Sequence, residues 1–208
     1  MLTPSAGKPT AAVFIDKDGT LLEDEPYNVD PERMRFAPGA YEALSALACC
    51  PFKLIVISNQ SGVALGRFPL ESLDAVEARL RDMFASCGAT LDGVYWCPHH
   101  PDGSVATYAQ ACDCRKPAPG MLLRASREHA IDLRASWFVG DILDDVEAGN
   151  LAGCRTILLD NGHETVWDRS HARMPTACAR DLHRAALMIL QYHERCNADA
   201  AADLQRTA

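Results

Sequence analysis

Three short apolar runs in this sequence each stop abruptly at a polar cluster, and that pattern leaves few folds open. Residues 11–15 end at Asp16-Lys17-Asp18-Gly19-Thr20, residues 53–57 at Ser58-Asn59-Gln60-Ser61-Gly62, and residues 137–139 at Gly140-Asp141. Runs this short and this uniformly apolar suit strands buried on both faces, as in a parallel sheet. The stretches between them carry apolar residues at helical spacing. One opens at Pro38-Gly39 with Ala40, Leu44 and Leu47. Another starts at Pro69, places Leu70, Leu73, Val76, Leu80 and Phe84 on one face, and closes at Gly88. Further helices are predicted over 119–130 and 144–151, and further strands over 94–96 and 156–159. Such alternation predicts an α/β fold, a Rossmann-like parallel sheet with helices on both faces. Ligands bind such sheets at the carboxyl ends of the strands, so the three polar clusters should meet at one rim.

A chain of 208 residues can bury one full core with little left for a second. The expected organisation is a single domain over residues 11–195, with a loose leader at 1–10 that contains Pro4, Gly7 and Pro9. Residues 180–191 can form a helix with Leu182, Ala186, Leu187 and Leu190 on one side. The tail 196–208, Ala-rich from Asn197, is expected to fray. A formal net charge of -8 argues against a general nucleic-acid binder, which carries a basic face. No stretch reads as a membrane span, and the first ten residues lack the apolar core of a signal peptide. Nine cysteines, an odd number in a chain of this size, fit a reducing cytoplasm better than a disulfide scaffold. With no large unexplained apolar stripe, a monomer is the default.

Asp16 and Asp18 lie two residues apart at a strand end, so both side chains can lean toward one site, and Gly19 permits a tight turn there. Carboxylates this close repel unless a cation or a proton sits between them. Asp141, at another strand end, supplies a third oxygen, and such hard donors suit Mg2+ together with substrate phosphate. A carboxylate can also act as a nucleophile toward phosphorus, splitting one hard displacement into two easier ones. Ser58 can hydrogen-bond a phosphoryl oxygen, and Lys116 can place a fixed positive charge beside it.

Cys97-Pro98-His99-His100 and Cys112-Asp113-Cys114 form two close pairs of soft ligands bracketing a polar loop, which suits tetrahedral Zn2+. A spacing of one residue, shared by both pairs, selects Cys97, His99, Cys112 and Cys114, with His100 as the alternative to His99. A closed set of four ligands is structural, because a catalytic zinc keeps a position open. Such sites supply roughly 10–16 kcal/mol of apparent binding free energy in small peptides, enough to order a loop with no core of its own. Arg115 and Lys116 follow the last ligand directly, so this zinc would hold a cationic pair at the rim.

In this order, Asp16-Lys17-Asp18-Gly19-Thr20, Ser58, Lys116 and Gly140-Asp141 with Asp145 resemble the four motifs of the haloacid dehalogenase-like phosphatases. The resemblance implies Asp16 as nucleophile, Asp18 as general acid and base, and Mg2+ held by Asp16, the Asp18 carbonyl and Asp141. Ser58 and Lys116 would stabilise the transferring phosphoryl group. Asp145 is read as an acid in the first turn of a helix, favoured by the helix dipole. Within the superfamily, the stretch from Cys97 through Cys112-Asp113-Cys114-Arg115-Lys116-Pro117 to Gly120-Met121-Leu122-Leu123 is similar to a group comprising the heptose 1,7-bisphosphate 7-phosphatases and the histidinol-phosphate phosphatases.

The long span from His99 to Cys112 favours the heptose enzymes. That resemblance implies no large cap domain, a small phosphorylated substrate, and loss of the C7 phosphate on the route to nucleotide-activated heptose for lipopolysaccharide. It also implies substrate contacts from Asp24, Tyr27, Arg115, and Ser58 through Asn59, Gln60 and Ser61. Two positions depart from the family pattern: Leu65 stands where an arginine is expected, and Ile142 where a lysine is expected. Arg67 is the neighbouring cation that can offset part of this loss. The alternatives are a phosphatase for histidinol phosphate or another small sugar phosphate, and a catalytically silent binding protein stabilised by zinc. The intact set of Asp16, Asp18, Lys116 and Asp141 disfavours the silent protein.

Overall fold

A computed structural model describes residues 10–168 and 170–206, with side chains described through residue 198. All but the last residue of the leader expected at 1–10 therefore lies outside the described residues. Strands β1 (Ala12–Asp16), β2 (Lys53–Asn59) and β3 (Gly93–Cys97) alternate with helices α1 (Ala40–Leu47) and α2 (Ser72–Ser86). Helix α3 (Gly120–His129) leads to β4 (Trp137–Gly140), α4 (Leu143–Ala152), β5 (Arg155–Leu159), β6 (Ala177–Ala179) and α5 (Leu182–Arg206). The strands form one sheet in the order β3-β2-β1-β4-β5-β6, and every pairing is parallel. This is the α/β architecture predicted from the apolar runs.

Strand alternation explains why the runs are apolar throughout. Val13 and Ile15 pack on one side of β1 with Leu44, Leu47, Leu80, Ala186 and Ile189, from α1, α2 and α5. Ala12 and Phe14 pack on the other side with Met121, Leu122, Ala125 and Ala148, from α3 and α4. Each successive residue of the central strand meets a helix, so no position on it can be polar until the strand ends. The register then sets the rim. Asp16 of β1 pairs with Ile57 of β2, and Ile15 with Val139 of β4. Asp16, Ser58 and Asp141 consequently emerge side by side, where the strand order reverses between β1 and β4.

Three details differ from the sequence expectation. Helix α2 starts at Ser72, because the Pro69 carbonyl closes a turn onto the Ser72 amide before the helix begins. Strand β6 was not foreseen; it is three residues long, with Cys178 exposed. Helix α5 continues to Arg206 through the stretch expected to fray. Ala198 and Ala200–Ala202 are the strongest helix formers, and no Gly or Pro interrupts them. No helix among the described residues is long and apolar enough to cross a membrane.

Candidate active site

The loop after β1 folds back tightly. The Gly19 amide donates to the Leu22 carbonyl and the Leu22 amide to the Lys17 carbonyl, at 2.9 and 2.8 Å. Gly19 has φ of +78°, and a Cβ there would lie 2.1 Å from Asp141 Oδ2, so conformation and space both require glycine. This turn presents Asp16 inward, buried, and Asp18 outward, partly exposed.

Lys116 organises the interior of the site. Its ammonium contacts Asp16 Oδ1 and lies 2.6 Å from Asp145 Oδ1, with all three side chains buried. Burial alone would lower the pKa of this amine, but the carboxylates of Asp145 and Asp16 outweigh it and hold Lys116 firmly cationic. Burial pushes Asp16 well above the usual carboxylate range; Lys116 pulls the other way, while Asp145, Asp141 and Asp18 add repulsion. Burial also raises Asp141, with Asp145 adding to it, while hydrogen bonds from His163 and Thr20 hold it back.

Asp145 therefore has two tasks. Its Oδ2 accepts from the Ile142 amide at 3.3 Å, as expected of an acid in the first turn of α4, and its other oxygen anchors Lys116. The anchoring role was not legible in the sequence, where both tasks share one residue.

The loop after β2 reads differently in space than in sequence. Asn59 spends both ends of its amide on the Lys116 backbone, donating to its carbonyl at 3.1 Å and accepting from its amide at 3.0 Å. Gln60 Nε2 donates to Ser58 Oγ at 2.9 Å and to Asp18 Oδ2 at 3.1 Å. Asn59 and Gln60, expected as substrate contacts, are thus tied to the groups around the site, whereas Ser58 is buried within it. Asp18 also meets the buried ammonium of Lys17 at 2.5 Å. A cavity of about 330 Å3 opens beside Asp18, with Lys17, Asp24 and Arg33 in its lining. Arg67 lies over the Tyr27 ring, 5.5 Å from its centroid, and both side chains are exposed. Ser61 and Leu65 are half-buried in the turn after β2, where the Leu65 amide donates to the Ser61 carbonyl at 2.9 Å.

Both expected metals fit the residues present. Asp16, Asp141 and Asp145 can each bring one oxygen within 4.8 Å of the others. Three buried carboxylates around one ammonium leave negative charge uncompensated, and hard oxygen donors match Mg2+. The loop between β3 and α3 gathers the softer set, Cys97, His99, Cys112 and Cys114. Their sulfurs lie 3.2, 3.3 and 3.6 Å apart, close to the ~3.8 Å edge of a tetrahedron with Zn–S arms of about 2.3 Å.

His99 Nδ1 lies 3.3 Å from Cys114 Sγ, whereas His100 Nδ1 accepts from the Asp102 amide, so of the two histidines it is His99 that stands in the cluster. Burial works against ionisation of the Cys112 thiol, yet hydrogen bonds from Cys114, the Arg115 amide and Cys97 lower its pKa. The cluster also fixes the residue after its last ligand: the Arg115 amide donates to Cys112 Sγ, and the Arg115 guanidinium to the His99 carbonyl, both at 3.3 Å.

One contact has no counterpart among the sequence motifs. His163, in the loop after β5, places Nδ1 2.7 Å from Asp141 Oδ2. Asp160-Asn161-Gly162-His163 is another polar run beginning where an apolar strand stops, so the rule applied to β1, β2 and β4 would have flagged it.

Comparison with known proteins agrees with this geometry. The HAD-hydrolase-like family model matches residues 113–185. The D-glycero-beta-D-manno-heptose-1,7-bisphosphate 7-phosphatase of Yersinia pestis is 42% identical over 148 residues, 71% of this chain and 79% of the relative. The protein of the same name from Escherichia coli K12 is 41% identical over 152 residues, 73% of this chain and 80% of the relative. Among solved structures, the D,D-heptose 1,7-bisphosphate phosphatase from B. bronchiseptica, complexed with magnesium and phosphate, is 30% identical with a TM-score of 0.75. That match covers 88% of this chain and 99% of the other. Sequence identity, fold and the arrangement of acids around Lys116 thus converge: the chain belongs to the D-glycero-beta-D-manno-heptose-1,7-bisphosphate 7-phosphatase family of HAD-like phosphatases.

Proposed function

We propose that this protein removes the C7 phosphate of D-glycero-D-manno-heptose 1,7-bisphosphate through an aspartyl-phosphate on Asp16, in the supply of nucleotide-activated heptose. The observation that carries the reading is Lys116, anchored between Asp16 and Asp145 at the end of the Cys/His loop, with Asp18 on the open side. The name shared by relatives 41–42% identical to this chain supports the substrate.

Asp16 attacks phosphorus while Asp18, beside the cavity, delivers a proton to the departing sugar oxygen. Asp18, now a carboxylate, takes a proton from the water that attacks the phosphorus of the aspartyl-phosphate. Inorganic phosphate leaves, and the Asp16 carboxylate is restored. Lys116 and Ser58 meet the charge on the equatorial oxygens. Gln60 sets Ser58 and Asp18 in register, and Asn59 positions Lys116 through its backbone. Mg2+, held by Asp16, the Asp18 carbonyl and Asp141, supplies charge neutralisation at the phosphoryl group when bound.

Arg115, Arg67, Tyr27, Asp24 and Ser61 serve recognition of the rest of the substrate, with Arg67 stacked on Tyr27 as the cation that stands in for the absent arginine at 65. Cys97, His99, Cys112 and Cys114 would hold Zn2+, which would fix the loop that carries Arg115 and Lys116. The enzyme works in a reducing cytoplasm, in keeping with its unpaired thiols.

Steady-state kinetics with both anomers of heptose 1,7-bisphosphate and with histidinol phosphate test the substrate. We expect the higher kcat/KM for a heptose bisphosphate. A clear preference for histidinol phosphate would overturn the assignment.

A further inference from the structure

Phosphoryl transfer at Asp16 makes no use of the loop after β5, yet three side chains of that loop reach three different parts of the rim. Asn161 Nδ2 donates to the Gly19 carbonyl at 2.8 Å. His163 Nδ1 meets Asp141 Oδ2 at 2.7 Å. Glu164 Oε2 accepts from the Leu143 amide, at the start of α4, also at 2.7 Å. The loop is braced within itself as well. The His163 amide donates to Asn161 Oδ1 at 3.3 Å, and the Val166 amide to Glu164 Oε1 at 2.7 Å. The turn carrying the nucleophile, the Asp141 carboxylate and the first turn of α4 are therefore tied to one short segment.

Asp141 is the member of this set that bears on the metal. It is 4% exposed, and each of its oxygens accepts one hydrogen bond: Oδ1 from Thr20 Oγ1 at 3.1 Å, Oδ2 from His163. A carboxylate offers about four acceptor positions, so both oxygens retain capacity for a cation. Thr20 and His163, with Gly19 and Asn161, line a cavity of about 260 Å3, and Asp141 is not part of that lining. The two donors thus stand between the carboxylate and the cavity. A Cβ on Gly19 would come within 2.5 Å of His163 Nδ1 as well as meeting Asp141, so imidazole, carboxylate and turn are packed in direct contact.

We propose that Asn161, His163 and Glu164 form a strap that sets the geometry of the divalent-cation site, with His163 the positioning residue for Asp141. The proposal rests on Asp141 being a cation ligand. A donor aimed at a liganding carboxylate fixes its rotamer before the ion arrives, and loss of such outer partners typically lowers metal affinity by about 10–100-fold.

The test is direct binding: calorimetry with Mg2+, and titration with Mn2+ followed by the spin-resonance signal of the free ion. Both use zinc-loaded protein stripped of other divalent ions. His163→Ala should weaken binding roughly tenfold. His163→Asn, whose amide donor can occupy the position of Nδ1, should recover most of the loss. Zinc content and thermal midpoint should stay near wild type in both, since the side chain lies at the surface. Wild-type affinity in His163→Ala would overturn the proposal, as would equal losses in the Ala and Asn variants. Asp141→Asn separates the two claims. If it binds Mn2+ like wild type, the ligand assignment itself fails; if it loses Mn2+ while His163→Ala does not, only the strap fails.

Discussion

The carboxylate cluster and the cysteine cluster each gather metal-binding groups from distant parts of the chain, but they are held in opposite ways. Asp16, Asp141 and Asp145 stand on β1, after β4 and in the first turn of α4, so the packed sheet fixes their positions whether or not a cation is bound. Cys97, His99, Cys112 and Cys114 bracket the segment between β3 and α3, and three of the four are only partly buried. The first cluster is built by the sheet and carries several acids around one ammonium; the second, on the function proposed above, would draw its order from a bound zinc. They meet at Arg115 and Lys116, where the segment that follows the Cys/His cluster delivers a cation into a site built by the sheet.

That contrast can be broken at either end. Asp16→Asn should lower turnover by on the order of 10^4–10^6-fold, while circular dichroism and zinc content remain those of wild type. Near-normal turnover would remove Asp16 from the chemistry. Cys112→Ser acts at the other cluster and should cost upwards of about 4 kcal/mol, with zinc content and denaturation midpoint falling together. A variant that kept its midpoint after losing zinc would show that the loop orders itself.

The smallest effect concerns pH. Asp16 and Asp141 have pKa values raised by burial above their ordinary 3.8, so the folded protein holds protons that the unfolded chain releases. The stability that these two acids contribute to the Mg2+-free protein should therefore be fully present below that ordinary value and be lost as pH rises through their folded-state pKa values. Lys116 has the opposite sign of charge, and its raised pKa contributes stability throughout this window. Thermal midpoints measured across this range should decline without Mg2+ and flatten with it. A decline that Mg2+ leaves untouched would mean that the cation does not sit on these acids.

The parts of the molecule that could be read in advance are those in which one physical demand acts on each residue. Val13, Phe14 and Ile15 must be apolar because helices cover both faces of β1, so the strand announces itself. Gly19 must be glycine, and Cys97, His99, Cys112 and Cys114 have ligand chemistry at a recognisable spacing. Legibility failed where one residue serves two demands or where its partner is remote in sequence. Asp145 caps a helix and anchors a lysine, and only the first task has a local signature. Asn59 and Gln60 bond to the Lys116 backbone, Asp18 and Ser58, and nothing local in the sequence announces those partners. His163 sits in a polar run that the strand-end rule reaches, but its pairing with an acid 22 residues away has no local signature. Strand β6 buries too little to show a pattern.

Phosphorylation of Asp16 is the central claim, and trapping the intermediate tests it most directly. Zinc-loaded enzyme turning over substrate with Mg2+ is quenched, reduced with borohydride and digested, which converts an aspartyl-phosphate to homoserine for mass spectrometry. Homoserine is expected at position 16, formed only when substrate and Mg2+ are both present. Homoserine at position 18 with none at 16 would contradict the claim.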